Sequence, residues 1–113
     1  MAGLNKEHCV PCRVGAPLLP DADIARLNQE IPDWRVIEAE GIKRLDRVFK
    51  FSDFAQALAF VNKVAQAAEE EGHHPALLLE WGQVTVTWWT HKIRGLHQND
   101  FVMAAKTDGL YRG

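Results

Sequence analysis

No stretch of the chain reaches the roughly 18 consecutive apolar residues that a bilayer-spanning helix requires. Basic charge is not in excess either. Thirteen Lys and Arg stand against 15 Asp and Glu, for a formal net charge of -2. That balance argues against a nucleic-acid binder working through a general basic field, because phosphate binding leans on clustered Lys and Arg. It leaves small anionic or neutral ligands open. Cysteine is scarce: Cys9 and Cys12 stand alone, in His8-Cys9-Val10-Pro11-Cys12. A Cys-x-x-Cys suits a redox pair or half of a zinc site, but nothing strand-like precedes it and only His8 is near as a further ligand. The pair reads as reduced, on a mobile N-terminal extension. Met1 to Pro11 carries no apolar segment of the secretory kind, so the expected compartment is the cytoplasm. Internal repeats and low-complexity tracts are also missing.

What is present suits one soluble domain. The 113 residues are enough for one hydrophobic core but not two, and 47% hydrophobic with 25% charged residues is ordinary for a globular chain. Gly3, Pro11, Gly15, Pro17 and Pro20 break up residues 1–20, which read as an irregular arm before a single domain over 21–113. Asp21 is placed to cap a short helix, about Ala22 to Gln29, stopped by Pro32. Trp34 to Ala39 and Ile42 to Phe51 read as strands joined at Glu40-Gly41, with Leu45, Phe49 and Phe51 on one side and Arg47 interrupting it. Ser52 is placed to cap a long helix whose Phe54, Ala57, Leu58, Val61, Val64, Ala65 and Ala68 recur at three-four spacing. Gly72 ends that helix, with Pro75 beyond. Ala76 to Glu80 and Gln83 to Thr90 form a hairpin around Trp81-Gly82. Val84, Val86 and Trp88 face one way, and Thr85, Thr87, Trp89 and His91 the other. A last helix spans about Gln98 to Thr107. The order α-β-β-α-β-β-α predicts an α+β domain, a four-stranded antiparallel sheet with helices packed on one face. With four Trp and five Phe in so short a chain, part of the open surface is expected to be covered by another subunit.

Local rules fail at one place. The long helix ends Glu69-Glu70-Glu71-Gly72-His73-His74-Pro75, three carboxylates at the negative end of the macrodipole, each costing a few tenths to ~1 kcal/mol at exposed sites. Such failures often mark functional sites. Glu70 and Glu71 read as a solvated cap. Glu69 lies one turn before His73 and is placed to hydrogen-bond an imidazole. His73 and His74 are adjacent, and Pro75 biases His74 to an extended backbone, so their side chains diverge. His91, at the end of a strand, is the third histidine. Three histidines also suit zinc, but adjacent histidines share a metal poorly, and no His-x-His or His-Glu-x-x-His spacing is present. Acid/base chemistry is the better reading. Asp100, in the first turn of the last helix, is explained by capping alone. His97 stands at the N-cap position, where Ser or Thr is usual, and is expected to cap poorly.

The pattern Glu69, three residues, His73-His74-Pro75, five residues, Trp81, nine residues, His91, eight residues, Asp100 fixes seven points over 32 residues. It resembles the signature of the pterin-4a-carbinolamine dehydratases, also called 4a-hydroxytetrahydrobiopterin dehydratases. Trp34 and the Phe49-to-Phe60 stretch are similar too, and the resemblance covers about Asp21 to Leu110. It implies a homodimer or homotetramer with the long helices at an interface. It implies dehydration of 4a-hydroxytetrahydrobiopterin to quinonoid dihydropterin, which serves aromatic amino acid hydroxylases and needs neither a metal nor a redox cofactor. By the same resemblance His73, His74 and His91 are the catalytic trio, Glu69 orients an imidazole, Trp34 and Trp81 flank the pterin ring, and Asp100 holds the geometry. Animal members also act as dimerisation cofactors for a transcription factor. That coactivator reading, or a pterin-binding role in molybdopterin metabolism, is the alternative. No nucleic-acid or membrane partner is expected.

Overall fold

A computed structural model describes residues 4–6, 9 and 17–112. Its elements follow the expected order: α1 (Asp21–Asn28), β1 (Arg35–Ala39), β2 (Ile42–Lys50), α2 (Phe54–Glu71), β3 (Ala76–Glu80), β4 (Gln83–Trp88) and α3 (Gln98–Arg112), with one-turn 3-10 helices at Leu4–Lys6 and His91–Ile93. The sheet is antiparallel in the order β1-β2-β4-β3. The architecture is the expected α+β one. None of the described helices is long and apolar enough to cross a membrane.

Strand alternation sorts the sheet into two faces. Leu45, Phe49, Val84, Val86 and Trp88 are buried beneath Ala57, Phe60, Val64 and Ala68 of α2 and Phe101 and Ala104 of α3. Val48 and Leu78, on the opposite face, stay exposed. The β1–β2 hairpin is tight because Glu40 and Gly41 both take positive φ, 55° and 75°, the geometry that matches strand twist in a two-residue turn.

Several boundaries differ from expectation, each for a local reason. Pro20, not Asp21, occupies the N-cap of α1 and makes no side-chain cap. Asp21 is instead the first helical residue and pairs with Lys43. The helix ends at Asn28, ahead of Pro32, because the Asn28 side-chain amide donates forward to the carbonyls of Ile31 (3.3 Å) and Trp34 (3.1 Å). Asp53 rather than Ser52 caps α2, accepting from the Gln56 N–H at 2.8 Å. The last helix runs one turn past Thr107, to Arg112. Leu4 is buried in the core against α3, so part of the expected arm belongs to the domain.

Arg47 breaks the apolar alternation of β2 because it serves a buried ion pair. Its guanidinium donates to Asp108 Oδ1 on α3 at 2.6 Å and lies over the Phe49 ring. The Trp34 indole N–H donates to the same oxygen at 2.8 Å. Burial pushes the Asp108 carboxyl above its ordinary range, against the pull of the Trp34 bond and Arg47. A raised carboxyl contributes stability below its unfolded pKa and loses it as pH rises through the folded value. Deleting a bond to the charged form therefore costs more at neutral than at acidic pH. Trp34→Phe is expected to lose about 2 kcal/mol at pH 7, and less at pH 4. Urea unfolding at both pH values checks this, and equal losses would disprove the coupling.

Candidate functional site

The end of α2 is shaped by Gly72. Its φ of 65° turns the chain left-handed, and the backbone closes as a Schellman motif, with Gly72 N–H on Glu69 O (3.3 Å) and His73 N–H on Ala68 O (3.1 Å). His73 is thereby directed inward. Its ring stacks on Trp88 at 5.7 Å and 6°, and its Nε2 lies 2.6 Å from Asp100 Oδ1.

Asp100 is 0% exposed. Its Oδ2 accepts from Thr90 Oγ1 (2.8 Å) and from the His97 backbone N–H (2.9 Å). A carboxylate already accepting twice accepts from His73 as well, so Nε2 carries the hydrogen and Nδ1 is left free to take one. His97 caps α3 after all: its Nδ1 accepts from the Asn99 N–H at 3.0 Å, and Asp100 returns a bond to the His97 N–H. His97 thus caps the second helical amide, and the third helical residue, Asp100, supplies the returning half of a capping box.

The three carboxylates of α2 each have a partner. Glu69 Oε2 meets His74 Nε2 at 2.5 Å in the open, where the His74 side chain is 59% exposed. The imidazole that Glu69 meets is that of His74: past Gly72 the helical one-turn rule no longer holds, and the reversed chain returns His74 over Glu69. Glu70 accepts from Gln66. Glu71 is no mere solvated cap, because its Oε1 accepts the Cys9 backbone N–H at 2.8 Å. The Cys9 thiol lies 4.0 Å from Asn99 O. Cys9 is thus tied to α2 and α3, contrary to the expected mobile extension, while Cys12 lies outside the described residues. Burial, with Glu71 and Asp100 adding to it, pushes the Cys9 thiol up to about 12.

His91 stands just past β4, which ends at Trp88 rather than Thr90. Its exposed ring stacks on Trp89 at 4.4 Å and 28°. The Arg44 guanidinium also lies over Trp89, 4.1 Å from the ring centre. Because Ala76 pairs with Thr87, the start of β3 and the end of β4 adjoin, and His73, His74 and His91 share one end of the sheet. Thr90, next to His91, ties that loop to Asp100.

Trp34 and Trp81 are not brought to this end. Trp34 is 2% exposed in the core, and its partner Asp108 lies eight residues, about 12 Å of helix axis, from Asp100. Trp81, 73% exposed, caps the far turn of β3 and β4, about 17 Å along β4 from Trp88. Among the described residues no group of three or more His, Cys, Asp or Glu is placed to hold a metal ion. Sequence reasoning assigned no role to Thr90, Trp89 and Arg44, which carry no motif: Thr90 meets Asp100 on α3, and Arg44 meets Trp89 across the strands.

Residues 17–110 match the family model described as pterin 4 alpha carbinolamine dehydratase. The chain belongs to that family. It is 58% identical to a candidate pterin-4-alpha-carbinolamine dehydratase of Saccharophagus degradans and 60% identical to one of Chlorobium limicola, each match covering 100% of both chains. Among solved structures it is similar to a transcriptional coactivator/pterin dehydratase from Brucella melitensis, with a TM-score of 0.75 and 29% identity over 83% of this chain and 98% of that one. It is also similar to a pterin dehydratase-like protein identified as a RuBisCO assembly factor in the alpha-carboxysome, with a TM-score of 0.60 and 28% identity over 70% of this chain and 89% of that one.

Two outcomes test this geometry. Asp100→Ala strands Thr90, His73 and the His97 N–H in a buried place, and urea unfolding is expected to show a loss of about 3 kcal/mol. Cys9, held as a thiol, is expected to alkylate at pH 8 at least about a hundredfold slower in the native protein than in urea. Mass spectrometry of the Cys9 peptide reads that ratio.

Proposed function

We propose that this chain dehydrates the 4a-carbinolamine of a tetrahydropterin, 4a-hydroxytetrahydrobiopterin being the expected substrate. The observation that carries the reading is the His73–Asp100 pair: a nearly buried imidazole, its side chain 11% exposed, oriented by a fully buried carboxylate, with Nδ1 free. Loss of water breaks the C4a–O bond, the hydroxyl leaving with an added proton. Removal of the N5 proton forms the C4a–N5 double bond of the quinonoid product. One group must give a proton and another must take one, and imidazole does either near neutrality. In this reading His73 and His91 transfer the protons, His74, steadied by Glu69, binds the pterin, and Asp100 sets His73. Neither metal nor redox cofactor enters the step. Trp34 keeps a core role, and Trp81 is left for contact between copies.

The exposed Phe54 and Leu58 on α2, with Val48 and Leu78 on the bare sheet face, support a homodimer or homotetramer. None of the described helices is long and apolar enough to cross a membrane; in this reading the chain works in the cytoplasm, where the product would be reduced in service of an aromatic amino acid hydroxylase. The coactivator named for the Brucella relative and the assembly role named for the carboxysome relative are weaker readings, since neither calls for the paired histidines and carboxylates; a molybdopterin role would use the same residues on a different pterin.

The test follows the decay of enzymatically generated 4a-carbinolamine with and without the protein. The protein is expected to accelerate it, and His73→Ala and His91→Ala to cut kcat by about 10² to 10⁴, more than His74→Ala does. An absence of acceleration by the wild-type protein overturns the proposal.

A further inference from the structure

The three histidines are not held alike. His73 and His74 each have a carboxylate on Nε2. Among the described residues the His91 imidazole makes no hydrogen bond, and its ring contact is Trp89. Trp89 is in turn fixed by Arg44, its cross-strand neighbour on the open sheet face, one step beyond the Leu45–Trp88 pair. Arg44 is anchored by Nη2 on the Ala39 carbonyl (3.2 Å) and by Glu40 (3.7 Å). Among the described residues its buried Nε has no hydrogen-bond partner, and the guanidinium packs on the indole.

We infer that Trp89, backed by Arg44, is the positioning residue for His91, doing by stacking what Asp100 and Glu69 do for the other two histidines by hydrogen bonds. The inference deepens the dehydratase reading and rests on it. An exposed imidazole without a hydrogen-bonding partner samples several rotamers, and a proton-transfer group is effective only in the reactive one. A stacked indole limits that sampling at no cost in hydrogen bonds and leaves both ring nitrogens of His91 free for substrate. With two planar groups already at stacking distance, Trp89 is a poor platform for the pterin itself. Its effect belongs on kcat rather than KM.

The experiment compares Trp89→Leu, Trp89→Phe and Arg44→Met by carbinolamine decay, and by the NMR shifts of the His91 ring protons in the ligand-free protein. Trp89→Leu is expected to lower kcat about tenfold with KM unchanged, the scale of one lost aromatic pair. It is also expected to abolish the ring-current shift of His91. Trp89→Phe is expected to restore most of both, and Arg44→Met to lower kcat about threefold. Unchanged His91 shifts in Trp89→Leu, or a loss appearing in KM alone, overturns the inference. If Trp89→Leu does not fold, the Phe and Met variants decide by the same two readouts. If the wild-type protein lacks dehydratase activity, the dehydratase reading fails, and the NMR comparison still decides whether Trp89 holds His91.

Discussion

A buried carboxylate cannot be left without donors, because the desolvation it suffers is far larger than any one hydrogen bond returns. Asp100 meets this constraint with three donors drawn from three parts of the chain: His73 after α2, Thr90 after β4 and the backbone of His97 at the start of α3. Satisfying it brings those three segments together. The same contacts that stabilise the domain at this corner therefore give His73 its orientation and tautomer. Stability and site geometry share one group here, so neither can be altered alone.

Around that corner the protein uses three ways of holding an imidazole. His73 is held by a buried charge and a parallel stack on Trp88. His74 is held by an exposed carboxylate, where water screens the pair and its worth is small. His91 is held by an aromatic ring with a guanidinium against it. The range runs from dry and rigid to open and adjustable. The acidic end of α2 fits the same scheme. Its unfavourable dipole terms are offset by particular partners, His74 for Glu69 and the Cys9 backbone for Glu71.

Much of this was legible beforehand. Period-two and three-four patterns located all four strands and three helices, since burial on one face writes itself into the order of residues. Gly72 announced the left-handed turn, and the spacing of Glu69, His73, His74, His91 and Asp100 announced the family. Element ends were read less well. Asp21, Ser52 and His97 were judged by residue type alone, whereas capping depends on backbone geometry: Pro20 displaced Asp21 from the N-cap, Asp53 took the place of Ser52, and His97 capped as an acceptor. Arg47 looked like a break in β2 until Asp108 appeared across from it on another element.

The sequence by itself determined the sheet, the helices, the turn at Gly72 and the membership of the histidines in one signature. The sheet, the helices and the turn follow from local propensity and periodicity, which act over a few residues, and the signature follows from resemblance to the family. Only the tertiary structure decided which carboxylate serves which histidine. Asp100 lies 27 residues from His73, and the reversal at Gly72 brings His74 to Glu69. The fold also set the Arg44 guanidinium against Trp89, beside His91. Such pairings depend on where separate elements meet in space, and the spacing of residues along the chain does not encode that.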